Sequence, residues 1–418
     1  MNPAPPPVVH EVLPREIMGI IFEEHAKLEW RAPAIDGRVC RIWRQIVLNT
    51  PRAWAYLEIG DYNPARIGDL RSWLHRSGTA LLHIRVDKDS SDELTDGLTE
   101  GEELYNLLVD YHTRIASLSL PLLDLSIFEG RDFSCLQLLD IGPWYPLHDS
   151  SAMWWDSLPK LRSLCLTSDK TGFVVPWGGL AELEVLVLRY PHFGSVPHYF
   201  QSLTTLMLAK TCLKDLISGP VALPSLTYLS LYAVTGLKPY ISAPRLITYR
   251  EGWDTVHELL SAPVPSLVEY GVFVERSNGL HLARWQRWFP NILRLSIRAI
   301  PQVVTPFLDS VCRRPSPLPA LQTISVRVLG WSFTEEDQEV MEALVRERSE
   351  ACDMDIVSYF EEILPLDGGE FFEEVTYYLL GGCDYLTLIL GPGRVFLNLV
   401  EHQAWFVHPN SILFHPKH

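Results

Sequence analysis

A six-residue hydrophobic template, L-x-x-L-x-L, recurs through the middle of this chain and restricts its fold more than any other feature. It reads IASLSL at 115, LQLLDI at 136, LRSLCL at 161, LEVLVL at 183 and LTTLML at 203. It continues as LTYLSL at 226, LITYRE at 246, LVEYGV at 267, ILRLSI at 292 and LQTISV at 321. Successive anchors lie 21, 25, 22, 20, 23, 20, 21, 25 and 29 residues apart. Six copies carry proline two residues before the anchor: Pro159, Pro224, Pro244, Pro265, Pro290 and Pro319. Proline there stops the preceding segment and starts a strand. One such unit, a short strand with a returning segment, cannot bury its apolar face alone. Stacked units can, as a parallel sheet over a continuous core.

The period falls in or near the 20–29-residue range of leucine-rich repeats. The copies are irregular. Asn or Cys is mostly missing after the template, and Glu251 stands where an apolar residue belongs. WAYLEI at 54 and LLHIRV at 81 read as earlier, degenerate copies. The pattern fades after about residue 331, where TEEDQEVMEALVRERSE reads as an acidic amphipathic helix, with Thr334 three residues before Asp337 marking its start. Strand-like segments follow it, as expected of a cap that closes a solenoid.

Before the repeats lie about forty residues of small helices. LPREIMGIIFEEHAK has Ile17, Met18, Ile21, Phe22 and His25 at helical spacing, Pro14 at a helix start and Glu16 in the first turn. A helix is expected over Leu13–Lys27. A loop with Pro33 follows, then a second helix over Arg38–Leu48 with Val39, Ile42, Trp43 and Ile46 on one face. Asn49-Thr50-Pro51 ends it. A unit of this size is too small for an independent core, so it must pack on the next domain, on a partner, or on both.

This N-terminal segment resembles the F-box, in the form carried by fungal (basidiomycete-like) proteins. The matching residues are Leu13, Pro14, Glu16, Ile17, Met18, Ile21 and Phe22, then Ile35, Val39, Cys40, Arg41, Trp43, Arg44, Thr50, Pro51, Arg52 and Trp54. His25, Asp36 and Gly37 depart from the pattern. The F-box followed by leucine-rich repeats is itself a family architecture. The resemblance implies a substrate-recognition subunit of an SCF-type cullin-RING ubiquitin ligase. Its F-box docks a Skp-type adaptor, which joins it to the cullin scaffold, and its repeats bind the substrate protein. Carried over by position, Leu13, Pro14, Ile17, Ile21, Phe22, Val39, Cys40 and Trp43 contact the adaptor. An apolar helical surface with a Trp at its centre fits such docking. Trp54 reads as a structural plug between the helices and the repeats. A leucine-rich-repeat scaffold with a vestigial or non-ubiquitin F-box is the alternative.

The expected architecture is therefore α/β. A tail (1–12) precedes the small helical F-box (13–57). An irregular leucine-rich-repeat solenoid with a parallel sheet (58–330) and a C-terminal cap region (331–418) complete it. In L-x-x-L-x-L the second and third apolar residues point inward, so the residue between them and its strand neighbours point to the concave face. Those positions hold Val187, Arg189, Tyr228, Tyr232, Arg250, Phe273, Arg294, Arg298 and Arg327. They read either as a basic-aromatic patch for an acidic or phosphorylated partner segment, or as a mixed polar face with no shared ligand.

Charge and cysteine usage narrow the function class. The net charge is −16, yet residues 1–90 are nearly neutral, with 12 Lys/Arg and 11 Asp/Glu; the excess acid lies later. This argues against nucleic acid and anionic membranes as partners. Seven cysteines are scattered without a Cys-x-x-Cys pair. Neither a zinc site nor a disulfide framework is expected, and reduced thiols fit the cytoplasm or nucleus. The N-terminus has no basic or apolar region of a signal peptide. Val375–Gly393, broken by Asp384 and the glycine pair at 381–382, reads as a buried strand pair rather than a membrane span. G-x-S-x-G, P-loop and H-E-x-x-H signatures are absent, and GPGR at 391 reads as a tight turn. His402, His408, His415 and His418 lack ligand spacing. The expectation is a non-catalytic protein without cofactor or metal.

Overall fold

The computed structural model of the chain describes residues 13–59, 67–86, 98–120, 128, 130–141, 158–167, 177, 180, 182–189, 200–209, 221–232, 234, 241–252, 260, 263–274, 282–299, 301–312, 318–330, 335–352 and 355–362. The expected tail (1–12), the strand pair at 375–393, the turn at 391–394, the four C-terminal histidines and the rest of the cap from 363 lie outside the described residues, as do the side chains of Phe273 and Arg327. The chain divides into two compact units. Among the described residues the first ends at Leu161 and the second begins at Arg162.

The first unit opens with helices α1 (Arg15–Leu28), α2 (Ala32–Val39) and α3 (Arg41–Leu48), then a 3-10 turn at Pro51–Trp54. Strand β1 (Tyr56–Ile59), α4 (Ile67–Arg76), β2 (Leu82–Val86), α5 (Leu98–Asp110), β3 (Ile115–Leu120) and β4 (Leu138–Ile141) follow. The four strands pair in parallel and in chain order. The degenerate copies at 54 and 81 are thus genuine strands.

Three sequence expectations need correction here. The single helix expected over Arg38–Leu48 is two helices broken at Cys40, whose backbone is extended at φ −156° and ψ 171°. Cys40 caps α3: its Sγ accepts from the Trp43 amide at 3.4 Å. The stretch with Pro33, expected as loop, is part of α2, because proline in the first turn removes only an amide that has no helical partner. The first helix begins at Arg15, with Pro14 as its non-helical cap residue.

Met18, Phe22, Ala26, Ile46, Val47, Ala53, Trp54, Ala55 and Tyr56 form the core beneath the helices. Trp54 behaves as the expected plug. Its indole N–H donates to the Val47 carbonyl at 2.9 Å, and its ring meets Trp73 edge-on at 4.6 Å.

The second unit holds β5 (Ser163–Thr167), β6 (Val185–Arg189), β7 (Thr205–Ala209), β8 (Val221–Ala222), β9 (Tyr228–Tyr232), β10 (Ile241–Ser242), β11 (Thr248–Gly252) and β12 (Glu269–Val274). It continues with α6 (Leu282–Trp288), β13 (Arg294–Ala299), α7 (Pro301–Val311), β14 (Thr323–Gly330), α8 (Glu335–Cys352) and β15 (Asp355–Glu362). All but β8 and β10 form one parallel run in chain order; β8 and β10 pair separately. The solenoid therefore does not end at 330: α8 is a crossover helix, and β15 pairs with β14 over eight residues.

Register explains the template. Leu186, Leu206, Leu229, Tyr249, Tyr270, Leu295 and Ile324 align as one buried row. Leu188, Leu208, Leu231, Glu251, Val272, Ile297 and Val326 align as a second. Glu251 keeps its inward place because the Tyr249 hydroxyl donates to its Oε2 at 2.6 Å and the Tyr270 hydroxyl donates to its Oε1. A buried carboxylate is tolerable when hydrogen-bonded in this way.

The prolines act more locally than expected. Each occupies the second position of a hydrogen-bonded turn. The amides of Leu161, Leu226, Leu246 and Leu267 each donate to the carbonyl three residues earlier at 3.2 Å, that of Ile292 at 3.4 Å and that of Leu321 at 3.1 Å. Proline suits that position because its ring presets φ. Neighbouring turns also interlock: the Ser266 hydroxyl donates to the Pro244 carbonyl at 3.1 Å, and the Asn291 amide to the Pro265 carbonyl at 2.8 Å.

Candidate functional site

Two surfaces gather the residues singled out by sequence. The first is the outer side of α1–α3. Helical spacing gives α1 a wider apolar band than its core can cover, so Met18 and Phe22 face inward while Ile17, Ile21 and Leu28 remain on the surface. Ile17 is 43% exposed, Ile21 44% and Val39 of α2 59%, high values for large aliphatic residues in a well-packed region. Ile35, Ile42 and Leu48 add to the exposed aliphatic surface and were not among the eight expected contact positions. For Ile35 the signal was present in the sequence, since it lies one helical turn before Val39.

The remaining expected contact residues are placed differently. Phe22 is 1% exposed and belongs to the core, so its side chain is not presented at the surface. Trp43 lies half-buried against it, with ring centroids 5.2 Å apart. Leu13 packs partly on the same core, Pro14 is exposed at the α1 cap, and Cys40 is half-buried and occupied in capping.

Polar contacts hold α2 from both sides. His25 Nδ1 of α1 lies 3.1 Å from Asp36 Oδ2 of α2, and the Arg44 Nε of α3 donates to the Gly37 carbonyl at 2.8 Å. Asp36 is only 5% exposed. His25, Asp36 and Gly37, singled out in the sequence as departures from the pattern it resembles, thus sit together in these two contacts.

Beside α1 a groove of about 880 Å³ is lined by Gly19, Ile20, Glu23, Thr50, Arg52, Tyr56 and His83, among others. Gly19 lets α1 approach Thr50, since a Cβ there would meet Thr50 Oγ1 at 3.2 Å. The Tyr56 ring stacks on His83 at 4.8 Å. Burial, and after it the nearby Glu23 and Glu24 carboxylates, push the Tyr56 hydroxyl well above the ordinary tyrosine value.

The second surface is the outer face of the sheet in the second unit. Arg189, Tyr232, Phe273, Arg298 and Arg327 occupy one register row, with Ala209 and Gly252 between them. Tyr228 and Arg294 occupy another, with Glu269 between β11 and β13, and Arg250 lies in the row between. The alternation predicted from the template therefore holds. The openness of that face does not hold throughout. Val187, Tyr232 and Arg298 are buried, whereas Arg189, Tyr228, Arg250 and Arg294 are partly exposed.

Sequence reading missed Glu269. Its carboxylate accepts from Arg250 Nη2 at 3.0 Å and pairs with Arg294 Nε at 3.4 Å. Two of the expected cations are therefore already engaged by an anion of the same face. Arg250 lies across Gly271, where an added Cβ would meet its Cγ at 2.9 Å. The template could have found it, since Glu269 stands two residues after its anchor, as Tyr228 and Arg294 do after theirs.

Among the described residues, no group of three or more His, Cys, Asp and Glu could hold a metal ion, and no helix is long and apolar enough to cross a membrane. The sequence matches no protein-family model and no curated protein.

Proposed function

We propose that this chain is the substrate-recognition subunit of an SCF-type cullin-RING ubiquitin ligase, with an F-box in α1–α3 and leucine-rich-repeat-like units beyond. The observation that carries the reading is the exposed aliphatic surface of Ile17, Ile21, Leu28, Ile35 and Val39 on a small helical unit whose core is formed by other residues. Burial of such a face against partner helices is a recurrent mode of docking. The Skp-type adaptor is the proposed partner there. The outer sheet face around Arg250, Glu269 and Arg294 is the proposed contact for the substrate protein. The chain carries no catalytic role of its own in this scheme and works in the cytoplasm or nucleus.

The test is co-purification with a Skp-type adaptor. Ile17→Asp combined with Val39→Asp places two charges on the exposed face and leaves the core untouched, so it should abolish capture while thermal stability is retained. Trp43→Ala is less clean, because Trp43 supports Phe22. Full capture by the double variant would refute the docking face. A wild-type chain that never captures the adaptor would leave a repeat scaffold outside ubiquitin transfer.

A further inference from the structure

His25 and Asp36 both depart from the F-box pattern, and the fold brings them within 3.1 Å of each other. They lie eleven residues apart in sequence, on different helices. Asp36 is nearly enclosed, with a side chain 7% exposed, whereas the His25 side chain is 44% exposed. A carboxylate so enclosed needs a hydrogen-bonding partner to be tolerated. As the carboxylate can only accept, the His25 Nδ1 carries the proton of that bond.

His25 follows Ile17 and Ile21 along α1 at intervals of four residues, and Asp36 sits next to Ile35 on α2. The polar contact therefore lies inside the aliphatic face. Aliphatic side chains packed across two short helices fix neither register nor rotation closely, because their contacts are non-directional. A single hydrogen bond between fixed backbone positions does fix them. Helix α2 has eight residues and is marginal without such anchors. Its other side is anchored at the adjacent residue, Gly37, by Arg44.

We propose that His25 and Asp36 form one positioning unit: a polar clip that locks α2 against α1 and thereby sets Ile35 and Val39 alongside Ile17 and Ile21 as a single docking face. The clip's importance for docking rests on the adaptor reading given above; its importance for α2 does not. The dependence is one-sided: enclosed Asp36 needs His25 more than half-exposed His25 needs Asp36. An unpaired Asp36 leaves a buried carboxylate, and His25 without Asp36 loses its directing acceptor.

Hydrogen exchange of α2, followed by mass spectrometry on the full-length chain, reads the clip without any partner. His25→Leu should speed exchange across residues 32–39 about tenfold, the fold-change expected when a buried carboxylate loses one polar contact. Asp36→Leu should have a smaller effect, since half-exposed His25 can turn to water. His25→Leu with Asp36→Leu should return exchange to within about threefold of wild type, because removing both polar partners is close to neutral. Capture of a purified Skp-type adaptor should follow the same order, with the double variant recovering what His25→Leu loses. A structural role unconnected with docking would move exchange and leave capture unchanged, and that result would overturn the positioning claim. Equal exchange in wild type and His25→Leu, or a double variant no better than the single, would overturn the clip itself. Normal exchange behaviour with no capture by wild type would count against the adaptor reading, and with it the docking half of the proposal.

Discussion

Glu251 interrupts a row of aliphatic side chains, and the cost of removing it should depend on what happens to its two tyrosines. Its carboxylate accepts from Tyr249 and Tyr270, both at most 2% exposed. Tyr249→Phe or Tyr270→Phe alone removes one hydrogen bond to a buried acidic group, which costs about 1.5–3 kcal/mol. Glu251→Leu removes the acceptor that both buried hydroxyls use, at about 1–3 kcal/mol each. Burial of the new side chain offsets about 1.5–3 kcal/mol of that. A net loss of about 2 kcal/mol follows. If the three sites were independent, the triple variant Glu251→Leu, Tyr249→Phe, Tyr270→Phe would lose about 6 kcal/mol. They share one network, so the triple should instead lie within about 1 kcal/mol of wild type, or be more stable. Urea unfolding followed by circular dichroism gives the midpoints and slopes needed. A triple variant as unstable as the summed singles would show that the carboxylate and hydroxyls act separately, and the network argument would be wrong.

Other outcomes follow from the same structure. Gly271→Ala should push the Arg250 stem aside and cost about 1 kcal/mol or less. A double-mutant cycle on Arg250 and Glu269 in that background should show their coupling lost. Pro224→Ala frees the unfolded chain without changing the folded turn, so denaturant midpoints should report a loss of about 0.4–1 kcal/mol. Tyr56 titrates above the usual value near 10 in the folded chain. The stability its neutral hydroxyl confers is then fully present below about pH 10 and is lost as pH rises beyond it. Thermal midpoints of Tyr56→Phe should accordingly decline less steeply above pH 10 than those of wild type. A parallel decline would place the alkaline sensitivity elsewhere.

The parts of the fold legible in the sequence were those fixed by short-range periodicity. Alternation within L-x-x-L-x-L correctly assigned Arg250 and Arg294 to the outer face and Tyr249 and Leu295 to the core. The degenerate copies at 54 and 81 were legible for the same reason. What failed depended on choices that periodicity leaves open. Phe22 shares a helical band with Ile17 and Ile21, and only packing decides which side of a broad band turns inward. Pro33 and Gly37 argued against a helix that tertiary contacts with α1 and α3 support. Strand β15 lacks the leucine template, so its place beside β14 was invisible. Glu269 was legible but overlooked, at the template position of Tyr228 and Arg294; the His25–Asp36 contact required residues from separate helices to meet, which no single-helix pattern encodes.

The proline turns bear on how such a chain can change over time. Anchor spacing varies from 20 to 29 residues, yet β6, β7, β9 and β11–β14 keep their inward and outward positions aligned. The turn sits immediately before the strand, so it resets the reading frame of the side chains whatever length of chain precedes it. Insertions or deletions upstream of Pro224, Pro244 or Pro265 are therefore silent with respect to strand parity. A single residue added between one of these prolines and its strand would invert every side chain that follows, up to the next turn. Lineages carrying this architecture can vary the connecting segments freely, while the few residues between proline and strand stay fixed in length.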